Sequence, residues 1–179
     1  MAGHDRITPQ GKKFFKQFEE LKKLQVRVGF SASGQGFGSR HEAVSAEADI
    51  VEIAAWNEMG TEYIPARPFL RQSVDNNGAQ IAATCKKQIE AIIRGQATAE
   101  TALKTIGAMQ VGLVQKEIRD GDFAPNAPIT RNGGWMHRNG KSFYVEGKGS
   151  DQPLIDTGRM RQSVHYVIEE KSGGGSETT

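Results

Sequence analysis

Few residues in this chain are of a type and spacing that could do chemistry. Two acids stand out, Glu58 and Asp156, and each is followed by two arginines: Arg67 and Arg71 after the first, Arg159 and Arg161 after the second. A carboxylate can serve as general acid or base, but beside guanidinium groups it pairs into a salt bridge or caps a helix, and that is the expectation here. Asp156-Thr157-Gly158 could place a carboxylate for hydrolysis, chemistry that needs a second such carboxylate beside it. The triplet occurs once and an arginine-bearing turn follows it. Gly34, Gly36 and Gly38 suggest a phosphate-binding loop, yet Ser39 stands where a third fingerprint glycine belongs and no Gly-Lys-Ser/Thr follows. His4, His41, His137 and His165 lack metal-ligand spacing, and no Cys-x-x-Cys or His-Glu-x-x-His is present. Cys85 falls on an apolar helical face and reads as a small buried hydrophobe. The sequence predicts no enzyme, no catalytic residue, no cofactor, no metal and no small-molecule substrate.

Composition narrows the class further. The 179 residues are one domain's worth, with 37% hydrophobic residues and 21 glycines, lean for a self-sufficient core. Such a chain gains stability from neighbours. The net charge of +2 does not make the whole chain a nucleic-acid binder. One cysteine excludes an internal disulfide and fits a reducing compartment. No apolar run approaches about 18 residues, so no membrane span is expected. No signal-peptide core is present either, which predicts a protein made and used in the cytoplasm.

The elements follow from periodicity. Phe14, Phe18 and Leu21 mark a helix over residues 10–24, with Phe15 widening its stripe. Val26, Val28 and Phe30 alternate as a strand over 25–30, and Val164, Tyr166 and Ile168 do so over 164–168. These two strands are expected to pair. Val44, Ala48, Val51, Ala55 and Met59 share one face of a helix over 42–59. A longer helix over 68–94 places Ile81, Cys85, Ile89 and Ile92 together, with a turn-like Asp75-Asn76-Asn77-Gly78 near its start. Gly95 ends it and Thr98 caps a helix over 99–119, whose Leu103, Ile106, Leu113, Val114 and Ile118 point inward. Gly107 and Gly112 predict close helix contact. Residues 120–128 read as a proline-stiffened loop. Asn139-Gly140 between strand-like runs predicts a β-hairpin over 134–147. Residues 1–9 and 171–179 read as flexible ends of a single domain spanning 10–170.

Residues 55–71 organise the rest. Gly60 closes a helix, Thr61 to Ile64 turn, and Pro65 and Pro68 stiffen the run towards Arg71. Pro68 is expected to open the next helix. The stretch reads as helix, corner, helix.

That corner carries a resemblance. Glu58-Met59-Gly60-Thr61, then Ile64-Pro65-Ala66-Arg67-Pro68-Phe69-Leu70-Arg71, resembles a signature of tailed-bacteriophage virion morphogenesis proteins, the Mu-like tail-completion and neck proteins related to the lambda minor tail protein Z type. Pro153-Leu154-Ile155-Asp156-Thr157-Gly158-Arg159-Met160-Arg161-Gln162-Ser163-Val164 is similar to their second signature. Pro125-Asn126-Ala127-Pro128-Ile129-Thr130 resembles a proline-bearing stretch before it. The resemblance runs over nearly the whole chain and implies an α+β fold. It also implies a structural, non-enzymatic role at the head–tail junction: a tail-completion, tail-terminator or neck component. The implied partners are copies of itself in a six-fold ring, the tail tube and the head connector, with DNA passing through. The implied location is the virion, after assembly in the host bacterial cytoplasm.

The expected fold is therefore α+β: a small, mainly antiparallel sheet of 26–30, the hairpin and 164–168, covered by long helices. Candidate contact residues are Glu58, Thr61, Arg67, Pro68, Phe69 and Arg71 at the corner, Trp135, Arg138, Lys141, Phe143 and Tyr144 on the hairpin, and Asp156, Thr157, Arg159 and Arg161 in the second signature. Aromatics with basic residues on the hairpin fit a protein neighbour. The alternative is a DNA-binding module using that hairpin. A hydrolase using Asp156 is a more distant rival.

Overall fold

A long helix runs through the middle, and six of the other elements lean on it. The computed structural model describes residues 7–30, 50–138, 140–155 and 158–171. The central helix, α5 (Ala99–Asp120), follows α1 (Pro9–Lys23), β1 (Leu24–Gly29), α2 (Ile50–Met59), α3 (Phe69–Asp75) and α4 (Gly78–Ile93). After it come α6 (Pro128–Asn132), β2 (Gly134–Arg138), β3 (Lys141–Val145), α7 (Arg159–Gln162) and β4 (His165–Glu170). The fold is α+β. Helices α1, α3, α4 and α7 and strands β1 and β4 all pack on α5.

The sequence explains why α5 starts where it does. The Thr98 hydroxyl accepts from Thr101 N–H at 3.2 Å, and Thr101 Oγ1 accepts from Thr98 N–H at 2.8 Å. That reciprocal cap satisfies N–H groups left over at the first turn. Gln17 of α1 accepts from Ala99 N–H at 2.7 Å, which ties α1 to the same helix end. Leu113, Val114 and Ile118 are buried along α5, as their spacing predicts, while Leu103 and Ile106 are half-buried.

Strands β1 and β4 pair antiparallel, from Leu24 opposite Glu170 to Gly29 opposite His165. This is the predicted pairing of the first and last strands. The sheet lies on α5 at Gly107, where a Cβ would stand 2.7 Å from the Tyr166 ring and 2.9 Å from Val26 Cγ2. So Gly107 admits the sheet, not another helix. Gly112 has open space around it, and its expected close contact is absent among the described residues.

The hairpin forms as predicted, but as a separate two-stranded sheet. Joining the β1–β4 sheet would require one apolar face and one polar face. The hairpin instead carries Trp135 and Tyr144 on one face and Met136 and Phe143 on the other.

The core gathers Phe30, Ala54, Phe69, Val114, Ile118, Met160 and Val164, with Ile53, Leu154 and Ile155 packed against it. Phe69 is fully buried, edge-on to Phe30 at 5.9 Å. Three expectations change. The helix over 68–94 is two helices, because Asn76 and Asn77 form a turn in which Asn77 Nδ2 donates to Ser73 O at 2.9 Å. The inner face of α2 carries Ala54 and Glu58, whereas Val51 and Met59 are exposed; Val44 and Ala48 lie outside the described residues. Cys85 is only half-buried and Ile89 is exposed, so Ile92 is the residue of that set that α4 buries. Gly34, Gly36, Gly38 and His41, most of the predicted flexible N-terminus and residues 172–179 also lie outside the described residues.

Candidate functional site

The corner is built by backbone geometry first. Gly60 takes φ +78°, and a Cβ there would stand 2.9 Å from Ala66 N, so glycine is needed both for the turn and for the close approach. Thr61 Oγ1 accepts from the N–H groups of Tyr63 at 3.2 Å and Ile64 at 3.0 Å, and Thr61 N–H donates to Ile64 O at 2.8 Å. Arg67 N–H then donates to Asn57 O at 2.7 Å, returning the chain to the side of α2. Pro68 stands one position before α3 rather than at its first residue, and it has no side chain with which to cap.

Glu58 supplies that cap from the preceding helix. Its carboxylate accepts from Leu70 N–H at 2.8 Å and Arg71 N–H at 3.3 Å, and from Arg71 Nε at 3.0 Å. Arg71 also donates to Glu58 O at 3.2 Å. A negative charge at the positive end of a helix, with donors for both oxygens, explains why this acid tolerates 9% exposure. The expected ion pair of Glu58 thus forms with Arg71 and lies within one chain.

Arg67 does something else. It is 5% exposed and donates from Nε to Ala124 O at 2.9 Å, from Nη1 to Asn57 Oδ1 at 3.1 Å and from Nη2 to Pro125 O at 3.2 Å. These acceptors are all neutral. Burial pulls the guanidinium pKa down from its usual value. Arg67 therefore fastens the corner to the proline-bearing stretch before α6.

Beyond Arg67 lies a cleft of about 460 Å³. Its walls bring together Arg67 from the first signature, Asn126 and Thr130 from the proline-bearing stretch, Lys148 from beyond the hairpin, and Ile155 and Arg159 from the second signature. Lys148 Nζ donates to Gln152 O at 2.7 Å and Ile155 O at 2.5 Å, holding the second signature in place. Leu154 there adopts φ +63°, which costs a side-chain-bearing residue about 1–2 kcal/mol. Asp156 and Thr157 lie outside the described residues, so the predicted cap and the predicted pairing of Asp156 with arginine do too. The position before α7 is Gly158, at φ +77°.

Helix α7 separates two concavities. Met160 is buried in the core, Arg159 lines the cleft, and Arg161 lines a second groove of about 350 Å³ on α5, with Gly112, Gln115, Lys116, Arg119 and Gln162. At the end of α5, the Asp120 carboxyl is held below its usual range by a hydrogen bond from Arg119.

The hairpin touches the larger cleft only through Glu146, and its strands are exposed. Trp135 and Tyr144 pack edge to face at 5.7 Å and are 66% and 61% exposed. Phe143 and Lys141 are exposed as well. The side chain of Arg138 lies outside the described residues. The base is held by close backbone contact: a Cβ at Gly147 would stand 2.4 Å from Gly133 N. Lys148 N–H donates to Thr130 O and Gly149 N–H to Arg131 O, each at 3.0 Å.

The structure therefore divides the predicted contact residues. Glu58, Arg67 and Phe69 are buried inside their own chain, so any part they play in contacts is indirect. Arg71 is exposed but tied to Glu58. Trp135, Lys141, Phe143 and Tyr144 do present surface. Sequence reasoning missed Asn57, which accepts Arg67 through both backbone and side chain, and it missed the groove on α5. The second had a signal: Gly112, Gln115, Lys116 and Arg119 recur at helical spacing opposite the apolar stripe. Among the described residues no cluster of acids, histidines or cysteines is placed to hold a metal, and no helix is long and apolar enough to cross a membrane. Comparison with family models, with curated proteins and with solved structures finds no match to this chain.

Proposed function

We propose that this chain is a structural protein of the head–tail junction of a tailed bacteriophage, a tail-completion or neck component. In this reading it assembles with copies of itself into a ring that caps the tail tube and presents a surface to the head connector. One observation carries the reading. The three segments that resemble the virion morphogenesis family are far apart in the chain, yet they converge on the single cleft lined by Arg67, Asn126 and Arg159. Resemblance by chance composition gives no reason for that convergence. The corner then acts as frame, and the hairpin's Trp135, Phe143, Tyr144 and Lys141 are the surface offered to a neighbour. Exposed aromatics of this size on a lean core suit a subunit that completes its burial in an assembly. The work is assembly, with no covalent step.

The test is the mass of the purified full chain in solution, alone and with tail tubes, across concentration. The expected result is a species near six times the 19.5 kDa monomer, formed alone or on tubes. A monomer or dimer at every concentration that ignores tubes overturns the ring. In an infected host, Arg67→Ala is expected to leave heads and tails unjoined, and normal titres would count against it.

A further inference from the structure

Exposed apolar surface is not confined to the hairpin. Helix α2 turns Ile50, Ile53 and Asn57 to the larger cleft. Its opposite side, at helical spacing, carries Glu52, Trp56 and Met59, and the turn that follows adds Glu62 and Tyr63. Met59 and Tyr63 are 70% and 69% exposed, more than any ring of the hairpin. Tryptophan, tyrosine and methionine are residue types that protein interfaces enrich. Residues 50–66 hold Glu52, Glu58 and Glu62 and neither lysine nor arginine. Glu58 caps α3, while Glu52 and Glu62 are exposed and make no ion pair among the described residues. The hairpin is the reverse. Residues 134–145 hold Arg138 and Lys141 and no acid, and Lys141 is exposed without an ion pair among the described residues.

We infer that the hairpin of one copy of this chain seats on the outer face of α2 in the next copy. The inference rests on the junction reading and names what its hairpin meets. Charge selects this face over the others. Phe15 and Phe18 on α1, and Ile89 and Ile93 on α4, are also exposed, but lysines outnumber acids on both helices and would repel a basic hairpin. Placement agrees. The outer face of α2 points away from the cleft that the hairpin borders through Glu146, and both patches stay exposed, so one chain does not cover its own face with its own hairpin. Pairing of two hairpins would bring together two acid-free patches and leave Glu52 and Glu62 without a counter-charge. A contact between two different patches on like subunits is head to tail, the kind that closes into rings.

The experiment follows self-association of the full chain, alone and on tail tubes, in two charge-reversed variants. One is Glu52→Lys with Glu62→Lys on the face; the other is Arg138→Glu with Lys141→Glu on the hairpin. Each is expected to raise the concentration at half-association by at least about tenfold, because like charges then meet. An equal mixture of the two should associate within about threefold of wild type, since one supplies an intact hairpin and the other an intact face. That restoration also shows that both variants are folded. Tryptophan emission gives a reading that needs no charge change. With Trp56→Phe and Trp135→Phe made separately, the remaining tryptophan should shift to the blue on association in both. The inference is overturned if either reversal associates as wild type, if the mixture stays apart, or if the Trp56 emission does not move. A shift confined to Trp135 would assign the hairpin to a second hairpin or to a tube protein instead. A chain monomeric under every condition overturns it as well. The inference fails alone if a sixfold species forms through other surfaces. The junction reading fails alone if copies join through these two patches but ignore tubes and never close at six.

Discussion

The corner at residues 55–71 and the hairpin at 134–147 are equally conspicuous in the sequence, and they use their residues in opposite ways. At the corner two charged groups turn inward, while Arg71, Trp56, Met59 and Tyr63 of the same stretch stay exposed. Glu58 caps α3, Arg67 grips two carbonyls of a distant loop, and Phe69 is sealed in the core. On the hairpin the costly residues turn outward: Trp135 and Tyr144 cover each other and otherwise face solvent. One region defines the shape of the subunit. The other leaves all three of its aromatic rings exposed. Motif density by itself does not distinguish a frame from a contact surface; burial and hydrogen-bond partners do.

This contrast can be broken, beginning with the largest effect. Phe69→Ala should cost about 3–5 kcal/mol, read as a fall in urea midpoint, because a fully buried ring leaves a cavity beside Phe30. A loss under about 1 kcal/mol would mean the corner is not part of the core. Glu58→Gln comes next, at about 2 kcal/mol, since one oxygen of a charged cap becomes a donor facing N–H groups. Unfolding curves that superimpose on wild type would refute the capping role. At the hairpin base, Gly147→Ala forces backbone apart where a Cβ meets Gly133 N at 2.4 Å, an overpacking loss of about 1–3 kcal/mol. Trp135 emission should shift with it, and an unshifted spectrum would show that the base can give. Trp135→Ala with Tyr144→Ala should stay within about 0.5 kcal/mol of wild type in the monomer. The same variant should fail to form the large species by solution mass, so normal assembly would place the contact surface elsewhere.

Much of the fold was legible because periodicity and caps are local signals. Thr98, Gly95, the hairpin turn at Gly140 and the alternation of Val26 and Val28 each announce their element without help from the rest. The face of α2 was not legible for a physical reason. An apolar count puts Glu58 outside, whereas three donors from the next element pull its carboxylate in, and those donors are invisible until the corner closes. Arg67 stands out in the sequence, but for a partner it does not take. Its acceptors are the carbonyls of Ala124 and Pro125, and a carbonyl carries no signature in the sequence. The separate hairpin sheet was missed because pairing depends on where both faces end up, not on how each strand alternates.

The pairing of Leu24 with Glu170 has a consequence for how the molecule is made. The strand that emerges early from the ribosome waits for one that emerges about 146 residues later. At about 5–20 residues per second that delay is roughly 7–30 s. Contacts between such distant residues also form slowly once both are available. Until then Val26 and Val28 lack a partner strand, and α1, with no fully buried residue, has Gln17 and Ala99 as its firmest tie. A prematurely terminated chain would expose that edge to proteases and holdase chaperones. Closure of the β1–β4 ladder thus waits on translation through residue 170.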